Sequence, residues 1–389
     1  MQYSDPMVWS MKRALVAGSV FAVLALFGSC DDDSAGLLSE DAASLSDDAA
    51  LACGADSGQP SVDVVGAEAL PEQPCAARAN PTVVVLPDTQ FYAAGYPEIF
   101  HAQTQWIRDN RISANLVAVL HEGDIVDSSN SQTQWQVASD AFAKLDGVIP
   151  YLVLAGNHDE GRDRQGYMDQ YFPLSRIGRY AWFGGAFQAN QAASTYAEVT
   201  IGSSVWLLLA LEFGPRDAVV AWADGVLKAH ASEPAILVTH AYLYNDGTRY
   251  DVTKTPAQSF DPDTYNYTPL EGMNDGEQLW QKLVIGNENV KLVLSGHCLG
   301  DPDNAIPAAA RLTSVRPSGS TVHQILANYQ TCGDMGCCQQ HPSLHGGNGY
   351  LRLLEFDEVN RVIRVRTFSP YLKKFMEHDD SEDFVLAWP

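Results

Sequence analysis

The sequence predicts an α/β fold, a sandwich of helices on a mixed β-sheet. Three observations carry that reading. Short apolar runs rich in β-branched residues alternate with longer segments whose apolar residues recur at helical spacing. Towards the C-terminus the alternation gives way to strands in succession. Five of the apolar runs are followed at once by Asp, Asn, Gln or His, the pattern of a site built at the carboxyl ends of strands.

The elements follow in order. Thr82–Leu86 (TVVVL) is a strand of the kind buried on both faces. Residues 97–112 form a helix that Pro97 can open, because its missing N–H costs nothing in a first turn. Strand 116–120 (LVAVL), helix 131–146 and strand 151–154 come next. Strand 205–211 precedes a helix over 217–231, and strand 235–238 precedes a helix over 277–285. Strands 291–294 and 322–327 lead to 351–356 and 361–367, the last two joined by a hairpin-like turn at 357–360.

Composition limits what surrounds this core. The chain has 389 residues, 46% hydrophobic and 19% charged, which excludes wholesale disorder. Its 48 acidic and 24 basic residues give a net charge of −24. That field opposes sequence-independent binding to duplex nucleic acid, but bound cations can still admit a phosphate substrate. Residues 31–80 hold eleven acidic side chains and one basic, Arg78. Rich also in Ala, Ser and Gly, they read as an acidic disordered linker. Residues 1–30 read as a signal peptide: Met11-Lys12-Arg13, an uncharged apolar run over 14–27, then Gly28-Ser29-Cys30. A Cys directly after small residues resembles a bacterial lipoprotein signal, so Cys30 is the expected lipid acceptor. The expected location is the bacterial envelope, with membrane contact through that anchor only. The alternative is ordinary secretion or a periplasmic protein. Residues 81–389 form the folded domain.

Seven cysteines are present, and six remain if Cys30 is lipidated. An even number suits disulfides in an oxidising compartment. Cys53 with Cys75 is one plausible pair, and Cys298 with Cys332, Cys337 or Cys338 another.

The chemistry lies in the loops after the strands: Asp88-Thr89-Gln90, Gly123-Asp124-Ile125-Val126-Asp127, Gly156-Asn157-His158-Asp159, Thr239-His240 and Gly296-His297. Taken singly, each has an ordinary structural explanation, as a cap, a turn or a core histidine. Five together at one sheet edge point to oxygen and imidazole ligands for divalent Zn, Mn or Fe, and so to a two-metal hydrolase.

In order and spacing, these motifs resemble the calcineurin-like metallophosphoesterases, from about Val83 to His297. The closing segment, Ala327-Asn328-Tyr329-Gln330 and residues 347–371, looks like a bacterial extracytoplasmic branch whose first motif reads DTQ. The resemblance implies a four-layer α/β/β/α sandwich with mixed sheets. It also implies two divalent metal ions. Asp124 would bridge them, Asp88 and Gln90 would serve the first, and Asn157, His240 and His297 the second. His158, oriented by Asp127, would protonate the leaving group while a metal-bound hydroxide attacks a small phosphomonoester or phosphodiester substrate. Pyrophosphate or nucleotide hydrolysis on the same site is a rival enzyme reading. A degenerate surface lipoprotein that binds metal or ligand without turnover is a rival of another class.

Two departures fall on the first metal. Gln90 stands where the family commonly has His, and Leu299 where its last motif, GHxH, has its second His. The first site is therefore expected to be the weaker, unless His323, His341 or His345 compensates. Arg162 and Arg164 could meet a phosphate or be solvated loop charges. The tyrosine-rich stretch 242–267 could line the site or be a surface insertion packed on its own rings.

Overall fold

The computed structural model describes residues 79–267, 272–300, 307–331, 345–376 and 381–389. All lie in a unit that runs from Gln73 to Pro389. The signal peptide, the linker as far as residue 78, His341 and every cysteine except Cys298 fall outside the described residues.

Fourteen strands are described: β1 (Thr82–Leu86), β2 (Leu116–His121), β3 (Tyr151–Leu152), β4 (Phe183–Ala186), β5 (Thr195–Ile201), β6 (Ser204–Leu211), β7 (Ala235–Thr239), β8 (Val290–Ser295), β9 (Ala309–Val315), β10 (Thr321–Ala327), β11 (Leu351–Asp357), β12 (Val362–Ser369), β13 (Lys374–Phe375) and β14 (Asp383–Ala387). They form two mixed sheets. The first runs β13-β12-β11-β1-β2-β3, with β14 also on β12. Within it β1, β2 and β3 are parallel, and β11 is antiparallel to β1. The second runs β4-β5-β6-β7-β8-β10-β9, and its β6, β7, β8 and β10 are parallel.

Alternation along β6 shows how the layers stack. Trp206, Leu208 and Ala210 share a core with Val83, Val85 and Leu120 of the first sheet. Leu207, Leu209 and Leu211 face the other way, into a core with Val219, Val220, Ala223 and Leu227 of helix Asp217–Ala229. Trp206 meets Phe356 across the two sheets at 5.1 Å between ring centroids. Helices Pro97–Asn110 and Gln132–Phe142 cover the first sheet with Ile99, Phe100, Ile107, Trp135, Ala138 and Phe142. The order is helices, sheet, sheet, helices, as the motifs imply. Side chains this deeply buried each contribute roughly 1.5–3 kcal/mol.

Local signals set the helix ends. Pro97 opens the first long helix, and the Ser131 hydroxyl accepts from the Gln134 N–H at the start of the next. The expected helix over 277–285 begins one residue earlier. It has a capping box between Asp275 and Gln278, then passes from α-helix at Gly276–Leu279 to a π-helical turn at Trp280–Val284. Strand β3 pairs over only two residues, because the chain peels away towards the Gly156-Asn157 loop. Strands β4, β5, β9, β13 and β14 were not expected from the sequence. Among the described residues, no helix is long and apolar enough to cross a membrane.

Candidate metal centre

The parallel strands of both sheets end at one place. Asp88 follows β1, Asp124 follows β2, and Asn157 and His158 lie beyond β3, while His240 and His297 follow β7 and β8. Close backbone approach lets these loops converge. A Cβ on Gly156 would lie 2.2 Å from both the Asp124 amide nitrogen and its Oδ1, and one on Gly296 would lie 2.1 Å from Asp88 Oδ2. Only glycine fits at either position. Asp124 and His297 themselves adopt left-handed φ values of 51° and 66°, strain of the kind that folds retain at functional sites.

Four ligand atoms meet around His240 Nε2. Asp124 Oδ1 lies 3.2 Å from it, Asn157 Oδ1 3.1 Å and His297 Nδ1 3.2 Å. The other nitrogen of each ring is held by a backbone carbonyl: His240 Nδ1 by Glu122 at 2.7 Å and His297 Nε2 by Phe260 at 2.9 Å. A carbonyl only accepts, so those nitrogens carry the hydrogens. With each ring neutral, Nε2 of His240 and Nδ1 of His297 face one another as lone pairs, with two more acceptor oxygens beside them. Either a proton on His240 Nε2 or a bound cation can satisfy these converging acceptors. Separations of 3.1–3.2 Å from His240 Nε2 are close to the ~3.3 Å between neighbouring ligands of a tetrahedral ion held at about 2.0–2.1 Å. The backbone carbonyls supply the outer contacts that fix ring orientation at metal sites.

Electrostatics describe the cluster without a cation. Burial works to raise the Asp124 carboxyl, but the His240 and His158 rings outweigh it and hold it well below the carboxylate range. Burial likewise opposes charge on His240, yet Asp124 prevails and its pKa rises to about 9. Burial, then the charge of His240, pushes His297 down to about 3. Asp88 is pushed up to about 8, chiefly by burial; His240 opposes the rise and Asp124 adds to it. Two buried carboxylates that resist joint ionisation are the donor set a divalent cation relieves.

The first position is built differently. Asp88 is buried, and its two oxygens face the His297 N–H at 3.2 and 3.3 Å. Gln90 is buried at the start of helix Gln90–Gly95, and its Oε1 has no hydrogen-bond partner among the described residues. That orphaned amide oxygen suits a cation. Leu299, half-buried, offers only its carbonyl, 3.3 Å from Asn245 Nδ2. The two described histidines considered as replacements are engaged elsewhere. His323 bonds Thr313 and the Ala387 carbonyl, and His345 bonds Asn348.

His158 sits at the open side of the cluster, its side chain 39% exposed. The backbone carbonyl of Asp127 holds its Nδ1 at 2.8 Å, while the Asp127 carboxylate stands off at 3.6 Å. Orientation therefore comes first from the main chain. Burial opposes charge on this ring, but Asp124 and the Asp127 carbonyl outweigh it and raise its pKa.

Other expectations resolve as structure. Arg164 is neither solvated nor turned to a phosphate: it pairs with Glu160 at 2.8 Å, donates to the carbonyls of Phe213 and Gly214, and lies over the Tyr267 ring. Arg162 is exposed. The tyrosine-rich stretch forms the wall behind His297. Tyr250 and Tyr265 pack 5.9 and 6.2 Å from that ring, Tyr265 packs 4.9 Å from Phe213, and Phe260 supplies the carbonyl described above. Cys298 is buried and has no disulfide partner among the described residues; its expected partners, Cys332, Cys337 and Cys338, lie outside them. The contacts that the sequence did not reveal, the carbonyls of Glu122 and Phe260, are backbone groups that carry no residue signature.

Comparison with known proteins completes the assignment. The chain is 35% identical over 320 residues to the uncharacterized protein YvnB of Bacillus subtilis (strain 168), covering 79% of this chain and 21% of that protein's length. Among solved structures, purple acid phosphatase PPD1 from yellow lupin (Lupinus luteus) seeds is 13% identical, with 79% of this chain and 54% of that one covered at a TM-score of 0.44. GAP50, the anchor in the inner membrane complex of Plasmodium, is 11% identical, with coverages of 78% and 91% and a TM-score of 0.39. Both TM-scores are too low to bear on the assignment. The family model for the calcineurin-like phosphoesterases matches residues 81–299, from just before β1 to just past His297. The chain belongs to the calcineurin-like phosphoesterase family, a family of metal-dependent phosphoester hydrolases.

Proposed function

We propose that this chain hydrolyses phosphomonoesters or phosphodiesters of small molecules, outside the cytoplasm, with two divalent cations in the site. The observation that carries the reading is the convergence of Asp124 Oδ1, Asn157 Oδ1 and His297 Nδ1 on His240 Nε2. These four residues would hold one cation; Asp88, Gln90 and Asp124 would hold the other. Bound divalent cations supply Lewis acidity at the phosphoryl oxygens and bring the pKa of water towards neutrality.

The chain's own residues do the rest. The carbonyls of Glu122 and Phe260 keep the two ring lone pairs turned inward. With Nδ1–H donated to the Asp127 carbonyl, His158 presents Nε2 at the open side. Its raised pKa favours the protonated ring, which would offer Nε2–H to the departing alkoxide oxygen. The Asp127 carboxylate stabilises that charged ring from 3.6 Å.

The test is a substrate panel. The purified chain, loaded with Mn²⁺ or Zn²⁺, should hydrolyse aryl phosphate monoesters or diesters, and chelation should abolish the activity. Metal uptake without hydrolysis of any panel member would favour the non-catalytic surface lipoprotein instead. Lipid labelling at Cys30, lost in Cys30→Ser, is the corresponding test of the expected envelope anchor.

A further inference from the structure

The first cation position lacks a donor where Leu299 stands, and the chain after β10 runs past that gap. β8 and β10 pair in parallel, with Ser295 opposite Leu326. The segments that leave them, 296–300 and 327–331, therefore lie side by side. The Thr331 hydroxyl donates to the Gly300 carbonyl at 2.9 Å, one residue from Leu299. Next to Thr331, Gln330 is 4% exposed, and its Oε1 has no hydrogen-bond partner among the described residues. Its own N–H donates to Asn328 Oδ1 at 3.2 Å, which sets the turn.

Gln90 is tied to the same turn from the opposite side. Its helix carries Tyr92, whose hydroxyl accepts from the Gly349 N–H at 2.8 Å. A Cβ on neighbouring Gly347 would lie 2.4 Å from the Tyr329 carbonyl and 3.0 Å from that hydroxyl. The Gln90 helix and the Gln330 turn thus pack on one glycine. Both segments that border the Leu299 loop thus carry a buried amide oxygen without a partner among the described residues, Gln90 Oε1 and Gln330 Oε1. A buried amide oxygen without a partner is unfavourable, and a bound cation would satisfy both.

We propose that Gln330 supplies, through Oε1, the donor that Leu299 lacks, making the first position an all-oxygen site of Asp88, Gln90, Asp124 and Gln330 that favours a hard cation such as Mn²⁺. The second position, with two imidazoles, favours Zn²⁺. Hard carboxylate and amide oxygens discriminate little against Mn²⁺, whereas imidazole binds Zn²⁺ much more strongly. The proposal rests on the two-cation reading above and deepens it.

The test counts cations, not turnover. A surface group, Glu198, His230 and Glu233, has its ligand atoms within 4.8 Å of one another and could bind Zn²⁺ adventitiously. All proteins therefore carry His230→Ala. The full chain is equilibrated with Zn²⁺ and a tenfold excess of Mn²⁺, then measured by elemental analysis and by the electron paramagnetic resonance of bound Mn²⁺. The expected result is one Zn²⁺ and one Mn²⁺. Gln330→Leu should weaken Mn²⁺ tenfold or more and leave Zn²⁺ unchanged. Gln330→Glu, which keeps the side-chain length and puts a carboxylate oxygen in place of the amide oxygen, should tighten Mn²⁺ and keeps the test decisive if Gln330→Leu does not fold; unchanged Mn²⁺ affinity there would count against the inference. Wild-type Mn²⁺ affinity in Gln330→Leu, or Zn²⁺ at both positions of the parent protein, overturns the inference alone. No cation at either position overturns the two-cation reading itself.

Discussion

The two halves of the site use the same fold edge but different chemistry. Around His240, three ligand atoms stand 3.1–3.2 Å from one nitrogen, and backbone carbonyls fix both rings. Around Asp88 there is no imidazole: one carboxylate is buried beside the His297 N–H, and the Gln90 amide oxygen is unpartnered. In the imidazole half a cation would take the place of the His240 proton, whereas in the Asp88 half it would satisfy an orphaned amide oxygen. The same loops can thus offer borderline and hard ligands side by side.

The largest effect should come from breaking the imidazole half. His240→Ala removes the atom on which the other three ligands converge, and initial rates at saturating Mn²⁺ should fall roughly a thousandfold or more. His158→Ala touches neither cation. It should cost about 10²–10⁴-fold for esters with poor leaving groups and little for p-nitrophenyl esters, whose leaving group needs no proton. A loss independent of leaving group would remove His158 from the proton-donor role. Gly156→Ala forces a methyl group against Asp124. It should weaken cation binding about 10–100-fold, the range seen for lost supporting contacts, as calorimetric titration can measure. Arg162 and Arg164 offer the mildest contrast. Arg164→Ala strands buried Glu160 and should lower unfolding free energy by about 3–5 kcal/mol in denaturant titration. Exposed Arg162→Ala should change it by less than about 0.5 kcal/mol.

The same contrast governs what could be read from the sequence. The strands that carry the ligands, β1, β2, β7 and β8, are continuous apolar runs, because both faces are covered; that signal survives without any neighbour. β5 alternates instead: in TYAEVTI, Glu198 and Thr200 are exposed and Val199 and Ile201 buried. That period of two was present but interrupted by polar residues. β9 and β14 are edge strands with half their residues at the surface, where composition says little. At the site, Asp124, Asn157, His240 and His297 were legible because their side chains themselves form the cluster. The carbonyls of Glu122 and Phe260 were not, since any residue could supply them. Gln330 stood in a noted motif without a role, which only the parallel pairing of β8 with β10 suggests.

The central claim, that this cluster hydrolyses phosphoesters, is tested most directly by Asp124→Asn. Asp124 is the one side chain shared by both proposed positions. Aryl phosphate hydrolysis and bound metal should be measured on the same preparations of wild type and variant, at equal total Mn²⁺. A rate loss of about a thousandfold, with weakened binding of both cations, is the predicted result. Wild-type hydrolysis by the variant would contradict the account, because the activity would then arise elsewhere.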